Sequence, residues 1–409
     1  MKIAHLSSHH ERQDNRIFFR ECCTLAEAGH DVSLVIRNAR DEVVQGVKIL
    51  AVPTPKSRLE RVTLTAARVA WRGWKSGAQV LHFHDPELIP WGFLLRALGR
   101  KVVFDVHEDF SQAAGVREWI PDGLRSLVSS AYSAVARAAN RAFEVVIAER
   151  YYERSFPGAT PVLNYPHLDR SERLRSVDRH ANRPDRIRLL YAGTASESRG
   201  ALLQAALAQH LPGSTVHFSG RIPSDLAPKM IEAAGDVHVG LLAKDGTMEW
   251  VKRSGKPEGE ASTVILQGVN YFVTHEMVEA FCEPWTAGLA VFPLHDHYYE
   301  KELTKFFEYM AAGLPMVVSD FPVWRAIVDA DACGFCVDPG NLEEAVARIR
   351  WLHDNPREAL AMGERGRQAV VTKYSWQSQQ RNLLALYGRM VPSDAALARE
   401  TVASNARTH

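Results

Sequence analysis

Short apolar runs alternate with amphipathic stretches along most of the 409 residues. Lys2–Ser7, Asp31–Ile36, Val80–His84, Lys101–His107 and Glu144–Ala148 read as buried parallel strands. Arg16–Ala28 and Ser126–Arg141 carry helical spacing between them, the first closed by Gly29. From His167 to Arg186 the chain turns charged and loses its periodicity, which predicts a linker over 169–186. The alternation restarts at Ile187–Gly193 and runs through Thr215–Ser219, Val237–Leu242, Thr263–Val269, Gly288–Leu294 and Met316–Ser319. Helical spacing fills Thr274–Phe281, Lys305–Ala312, Leu342–His353, Arg357–Val371 and the stretch from Tyr374 to Met390. The pattern predicts an α/β protein with two Rossmann-like domains of parallel sheet, 1–168 and 187–372. A closing helix over 373–390 and a polar, mobile tail over 391–409 follow, and Lys244–Ser262 reads as an inserted loop.

One stretch of the second domain organises the rest. Glu300-Lys-Glu-Leu-Thr-Lys-Phe-Phe-Glu308-Tyr-Met-Ala-Ala-Gly-Leu-Pro315 reads as a loop entering a short helix. Thr304 suits the N-cap, Gly313 the C-terminal cap, and Pro315 ends the helix. With a strand on either side, this order puts a helix N-terminus at the carboxyl edge of a parallel sheet. Open α/β sheets bind ligands there, and unpaired amides suit a phosphate. Glu300 and Glu308 bracket that position, and carboxylates accept hydrogen bonds from hydroxyls such as those of ribose or a hexose. Arg199, where the loop after Gly193 meets its helix, has the fork geometry that grips a diphosphate.

Composition narrows the class without naming it. An apolar fraction of 46% and a charged fraction of 24% are those of a globular protein, and a net charge of +1 gives no pull toward nucleic acid. No run is long enough to span a membrane, and Met1-Lys-Ile-Ala enters a strand with no signal peptide, so a cytoplasmic home is expected. Five cysteines form no disulfide framework. Cys333 and Cys336 lack the second pair a zinc site needs, and they read as structural thiols.

Two features admit opposite readings. Arg61, Arg68, Arg72 and Lys75 share a helical face near Trp71 and Trp74. That face is either an interfacial helix on the anionic inner face of the plasma membrane or a solvated face held to the sheet by Leu59, Val62 and Val69. Histidines and carboxylates also gather at strand ends, as His82, His84 and Asp85, as His107, and as His295 and His297. They invite a metal, but no His pair stands at helical spacing with a carboxylate, so no metal is expected. The opening βαβ lacks Gly-x-Gly-x-x-Gly, which argues against a dinucleotide dehydrogenase.

Glu300 and Glu308, seven residues between them and followed by Tyr-Met-Ala-Ala-Gly-Leu-Pro, resemble the signature of the retaining, nucleotide-sugar-dependent glycosyltransferases of family 4. His84-Asp-Pro-Glu87 and Asp105-Val-His-Glu-Asp109 are similar to a bacterial polysaccharide-building subset, and Asp14–Glu21 resembles the loop that the family lays over its interdomain cleft. The resemblance implies the GT-B architecture, two Rossmann-like domains facing across a cleft. It places Glu300 by the donor sugar, Glu308 on the ribose, and Leu303, Thr304, Arg199 and Lys305 at the diphosphate. Gly193 and Gly268 stand at the strand ends that meet the nucleotide, His107 across from the donor sugar, and His10 and Asp85 on the acceptor side. The sequence departs from the family pattern twice. Its phosphate loop is Lys-Glu-Leu-Thr rather than Gly/Pro-rich, and Thr194 stands where a second basic residue is common.

The implied activity is transfer of a hexose-type sugar from a UDP- or GDP-sugar to a glycan or lipid-linked glycan acceptor, without metal. A nucleotide-sugar 2-epimerase of the same fold, or a non-catalytic nucleotide-sugar-binding subunit, would use the same residues. Acceptor-independent release of nucleotide diphosphate separates the first alternative, and absence of turnover the second.

Overall fold

Each alternation folds into an eight-stranded sheet. The computed structural model describes residues 1–107, 122–167, 185–253, 255, 257, 261–271, 273 and 284–390. The greater part of the expected linker, the helix over 274–281, Cys282 and the tail lie outside the described residues, as do the side chains of 122–128, 296 and 297. The chain divides into two compact units, Met1–Asn164 with the chain from Trp376 onward, and Tyr165–Ser375.

In the first unit the strands are β1 (Lys2–Leu6), β2 (Asp31–Arg37), β3 (Glu42–Val44), β4 (Val47–Val52), β5 (Val80–Phe83), β6 (Lys101–Val106), β7 (Glu144–Ile147) and β8 (Thr160–Pro161). Their spatial order is β3-β4-β2-β1-β5-β6-β7-β8, parallel except for the edge strand β3. The order reverses at β1, which pairs with β2 on one side and β5 on the other. The helix Trp376–Met390 belongs to this unit. Its Trp376, Leu383, Leu386 and Tyr387 are buried in one core cluster with Ile17, Phe18, Val32 and Val80. The Trp376 indole donates to Thr24 Oγ1 at 2.9 Å, and Gln379 accepts from the Leu163 amide at 3.0 Å.

The second unit holds β9 (Arg188–Ala192), β10 (Thr215–Ile222), β11 (His238–Leu242), β12 (Met248–Lys252), β13 (Thr263–Val269), β14 (Ala287–Ala290), β15 (Met316–Ser319) and β16 (Gly334–Val337). The order is β12-β11-β13-β10-β9-β14-β15-β16, reversing at β9. Part of the stretch expected to be an inserted loop is strand: β12 pairs antiparallel with β11 and adds an edge to the sheet. Tyr165, expected in the first domain, packs its ring 4.6 Å from Phe307 and 5.4 Å from Tyr374, and its hydroxyl lies 3.3 Å from Glu302. These contacts attach the chain from that residue to the second unit.

The basic stripe lies on continuous helix from Arg58 to Lys75. Val69 is buried, as the solvated-face reading required, but Leu59 is 72% exposed and Trp71 58%. Three of the four cations already have local partners: Arg61 with Glu87 at 3.1 Å, Arg68 with Glu60 at 3.5 Å, and Arg72 with Asp41. Lys75 lies 5.0 Å from the Trp71 ring centre. Among the described residues, no helix is long and apolar enough to cross a membrane. Cys22, Cys23, Cys333 and Cys336 are free, and burial pushes the Cys333 and Cys336 thiols up to about 12.

Candidate active site

In the second unit the chain leaves β9 through Ala201–His210 toward β10, and leaves β14 through Thr304–Ala311 toward β15. Both helices therefore start at the point where the strand order reverses, which is where such sheets open a crevice. Thr304 is the first helical residue rather than the cap. Leu303 holds the capping position with extended backbone and no side-chain cap bond. With no hydroxyl competing, the amides of Thr304 and Lys305 are left for a ligand, while that of Phe306 already donates to the Leu303 carbonyl at 3.0 Å. Gly313 does close the helix, in the left-handed region at φ 63°, with Leu314 donating back to the Tyr309 carbonyl at 2.9 Å.

Gly193 and Gly268 stand at the carboxyl ends of β9 and β13, in one row with Gly220 on the strand between them. A Cβ on Gly268 would lie 1.6 Å from the Gly220 carbonyl oxygen, and one on Gly220 would lie 2.0 Å from that of Gly193. Three backbones pass there too closely for side chains, which leaves a bare wall beside the crevice. Gly220 escaped the sequence reading because it interrupts no motif; only the neighbouring strands reveal its role.

Two cations converge near this wall. Arg199 donates from Nε to the Tyr298 hydroxyl at 3.2 Å and from a terminal nitrogen to the Thr194 carbonyl at 3.0 Å. Lys305 arrives from the other helix, with Nζ 3.6 Å from the Tyr191 ring centre and 5.1 Å from that of Phe292. The residue as a whole is half-buried, while its Nζ is shielded and has no hydrogen-bond partner among the described residues. Burial, and then the charge of Arg199, hold this lysine well below its usual range, while Glu308 opposes them. Glu308 is half-buried in the second turn of the same helix, and Glu300 is half-buried in the turn that ends the short helix Asp296–Tyr299.

The first unit gathers a second polar site at the carboxyl ends of β1, β5 and β6. Asp85 accepts from the Ser8 amide at 2.7 Å and the Ser7 hydroxyl at 2.9 Å, and lies 3.2 Å from His10 Nδ1. Burial alone would raise its pKa, but His10 and these donors hold it below the usual carboxylate range. Burial likewise would lower His10, and Asp85 raises it.

Beneath them Asp105 accepts from Arg16 through both oxygens, Nε at 2.9 Å and a terminal nitrogen at 2.7 Å, and lies 3.0 Å from His84 Nδ1 and 2.5 Å from His107 Nε2. Arg16 and Glu21 reach this core from one side because Asn15–Cys22 is wound as a π-helix, whose i→i+5 pitch aligns residues five apart. Burial drives Glu21 well above the usual carboxyl range, with the neighbouring Asp105 adding to it, and lowers His84 to about 4 against the pull of Asp105.

His5, Glu21, His82 and His84 bring ligand-type atoms within 4.8 Å of one another, as do His84, Asp105 and His107. Their shortest spacings are those of hydrogen bonds. The 2.5 Å between Asp105 and His107 is closer than two ligands about 2 Å from one ion would sit, and Tyr387 already takes His82 Nδ1 at 2.8 Å. The side chain of His297 lies outside the described residues. His5 and Tyr387 carry no signal in linear order, and Arg16 and Glu21 stand there only within the run Asp14–Glu21; the three segments meet only through the sheet order.

Two Rossmann-like units, each with its polar site where the strand order reverses, define the GT-B class of fold. The glycosyl transferases group 1 family matches residues 254–369, which contain Glu300, Lys305 and Glu308. The glycosyl transferase 4-like domain matches residues 16–155, which contain Arg16, Asp85, Asp105 and His107. The chain belongs to the group 1 glycosyltransferases. A curated relative, the MMP alpha-(1->4)-mannosyltransferase of Mycolicibacterium hassiacum, is 34% identical over 90 residues, a stretch that spans 22% of this chain and 22% of the relative. Among solved structures, sucrose-phosphate synthase of Thermosynechococcus elongatus superposes with a TM-score of 0.65 at 17% identity, covering 95% of this chain and 98% of the other. Anabaena HepE, solved in complex with UDP and glucose, gives 0.62 at 13% identity, with 95% and 100% covered. At such identities these two likenesses concern the fold.

Proposed function

We propose that the protein is a retaining glycosyltransferase that moves a hexose-type sugar from a UDP- or GDP-sugar to a glycan or lipid-linked glycan, in the building of cell-surface polysaccharide. The observation that carries the reading is the meeting of Arg199, Lys305 and the first turn of Thr304–Ala311 beside the glycine row. Anion-binding amides, two cations and a bare backbone wall suit a nucleotide diphosphate. Lys305 then supplies the second charge missing at Thr194. HepE was solved with UDP and with UDP-glucose, and the mycobacterial relative is a mannosyltransferase, which favour a nucleotide-linked hexose.

In this reading Glu300 serves the transferred sugar, Glu308 the ribose, and His107 the reacting region, with His10 and Asp85 toward the acceptor. The leaving diphosphate is neutralised by side chains and helix amides, so no metal is required. Donor consumption is expected to survive excess chelator and to gain little from magnesium or manganese. Complete loss with chelator, restored by one divalent ion, would refute that part. The nucleotide is tested by a thermal-shift panel of UDP, GDP and their sugars, since a ligand at about 100 times its Kd adds about 2.7 kcal/mol. A panel with no response would remove the reading.

Weak membrane attachment through the first unit belongs to the same proposal. It rests on Leu59, Leu64 and Trp71, exposed on a basic helix. Because Arg68 and Arg72 are locally paired, Leu59→Ser with Trp71→Ser should lower flotation with anionic liposomes more than Arg68→Gln with Arg72→Gln does. Equal flotation of wild type and both variants would eliminate attachment through this helix.

A further inference from the structure

The buried core under the first-unit site has one consistent set of hydrogen-bond directions. Asp105 as a carboxylate only accepts, so the nitrogens that meet it must carry hydrogens: His84 Nδ1 at 3.0 Å and His107 Nε2 at 2.5 Å. Neutral His84 then has its lone pair on Nε2, which faces His5 Nδ1 at 3.0 Å, so His5 must donate there. The other nitrogen of His5 is left to accept, and the Tyr387 hydroxyl stands 3.4 Å away to donate. Tyr387 oxygen in turn accepts from His82 Nδ1 at 2.8 Å. His5, His82, His84 and Asp105 are all buried, so water does not scramble these directions. Arg16, buried with them and bonded also to the Val162 carbonyl at 2.6 Å, fixes both oxygens of Asp105. The backbone of His107 is held independently, its carbonyl accepting from the Tyr152 hydroxyl at 2.9 Å.

We infer that Asp105 is a positioning residue for His107: clamped by Arg16 and by the chain His82–Tyr387–His5–His84, it takes the Nε2 hydrogen of His107 and leaves Nδ1 as the ring atom that meets substrate. The inference rests on the proposed role of His107 in transfer and adds a state of the ring and the residues that impose it. Nδ1 with a lone pair accepts a hydrogen bond from a sugar hydroxyl; the opposite tautomer would donate one. The other groups near the dyad are Glu21, 3.1 Å from Arg16, and His10, whose ring centre is 5.2 Å from that of His107 and which is paired with Asp85.

Nitrogen-15 histidine spectra of the full chain without ligand, with His107 assigned by loss of its signals in His107→Gln, test this directly. The expected wild-type state is the Nε2–H tautomer. Asp105→Asn, whose amide can donate to the ring, should convert His107 toward Nδ1–H and lower kcat by about ten- to a hundredfold, with little change in donor KM. A wild-type Nδ1–H tautomer, an unaltered kcat in folded Asp105→Asn, or one equivalent of zinc retained by the chain through dialysis and lost with His82→Asn would overturn the inference. The wild-type spectrum needs no substitution, so a variant that fails to fold does not remove the test. Undiminished transfer by His107→Gln would instead remove the transfer role of His107, while the tautomer stands or falls on the spectrum.

Discussion

Glu308→Gln is expected to weaken binding of the bare nucleotide diphosphate, while Glu300→Gln leaves it nearly unchanged and lowers turnover. Glu308 stands in the second turn of the helix whose first turn is proposed to hold the diphosphate, and its carboxylate can accept from both ribose hydroxyls. Losing a charge-assisted hydrogen bond costs roughly 1.5–3 kcal/mol, which is about ten- to a hundredfold in affinity. Glu300 ends the short helix Asp296–Tyr299, and its proposed partner, the transferred sugar, is absent from the diphosphate. Calorimetric titration of both variants with UDP and GDP, beside donor turnover, separates the roles. The reverse pattern would exchange the assignments, and two silent substitutions would remove both.

Lys305→Met is expected to lower diphosphate affinity by a similar ten- to hundredfold, without loss of stability. The ammonium lies between Tyr191 and Phe292 with Arg199 near by, so a methionine of comparable length fills an aromatic slot. The sign of its pH dependence follows from burial. With the folded-state pKa below the unfolded one, the unfolded chain binds the extra proton between the two values. Stability should therefore rise with pH through that window in wild type, and this component of the slope should vanish in the variant. A diphosphate beside Lys305 favours its charged form, so binding in the same window should take up a proton, visible as a dependence of the titration heat on buffer. Unchanged affinity together with no proton uptake would take Lys305 out of the phosphate site.

The second-unit site was the more legible of the two because Glu300, Lys305 and Glu308 lie in one contiguous stretch. A strand, a loop, a capped helix and Pro315 each follow local rules, and the spacing of Glu300 and Glu308 survives in linear order. Even there the cap moved from Thr304 to Leu303, because the loop arrives in extended backbone and the threonine is already helical. Lys305 was expected at the diphosphate from its place in this stretch; that its Nζ is shielded by rings from β9 and from the segment after β14 follows only from the sheet.

What the sequence determined by itself was the alternation of apolar runs with helices, hence two parallel-sheet domains, and the residues that local spacing binds together. Burial of period-two and helical faces is a property of neighbouring residues, so it can be read along the chain. The tertiary structure decided what meets across strand order. Gly220 is constrained by two strands that flank it in space, and Asp105 draws Arg16 and His84 from two other segments. Glu21 and Arg16 align only because the helix winds with π pitch, and Tyr387 reaches His82 from a helix about 300 residues later. In each case the controlling term is desolvation in a packed interior, where a polar group must find its partner among spatial neighbours, and spatial neighbours are set by topology.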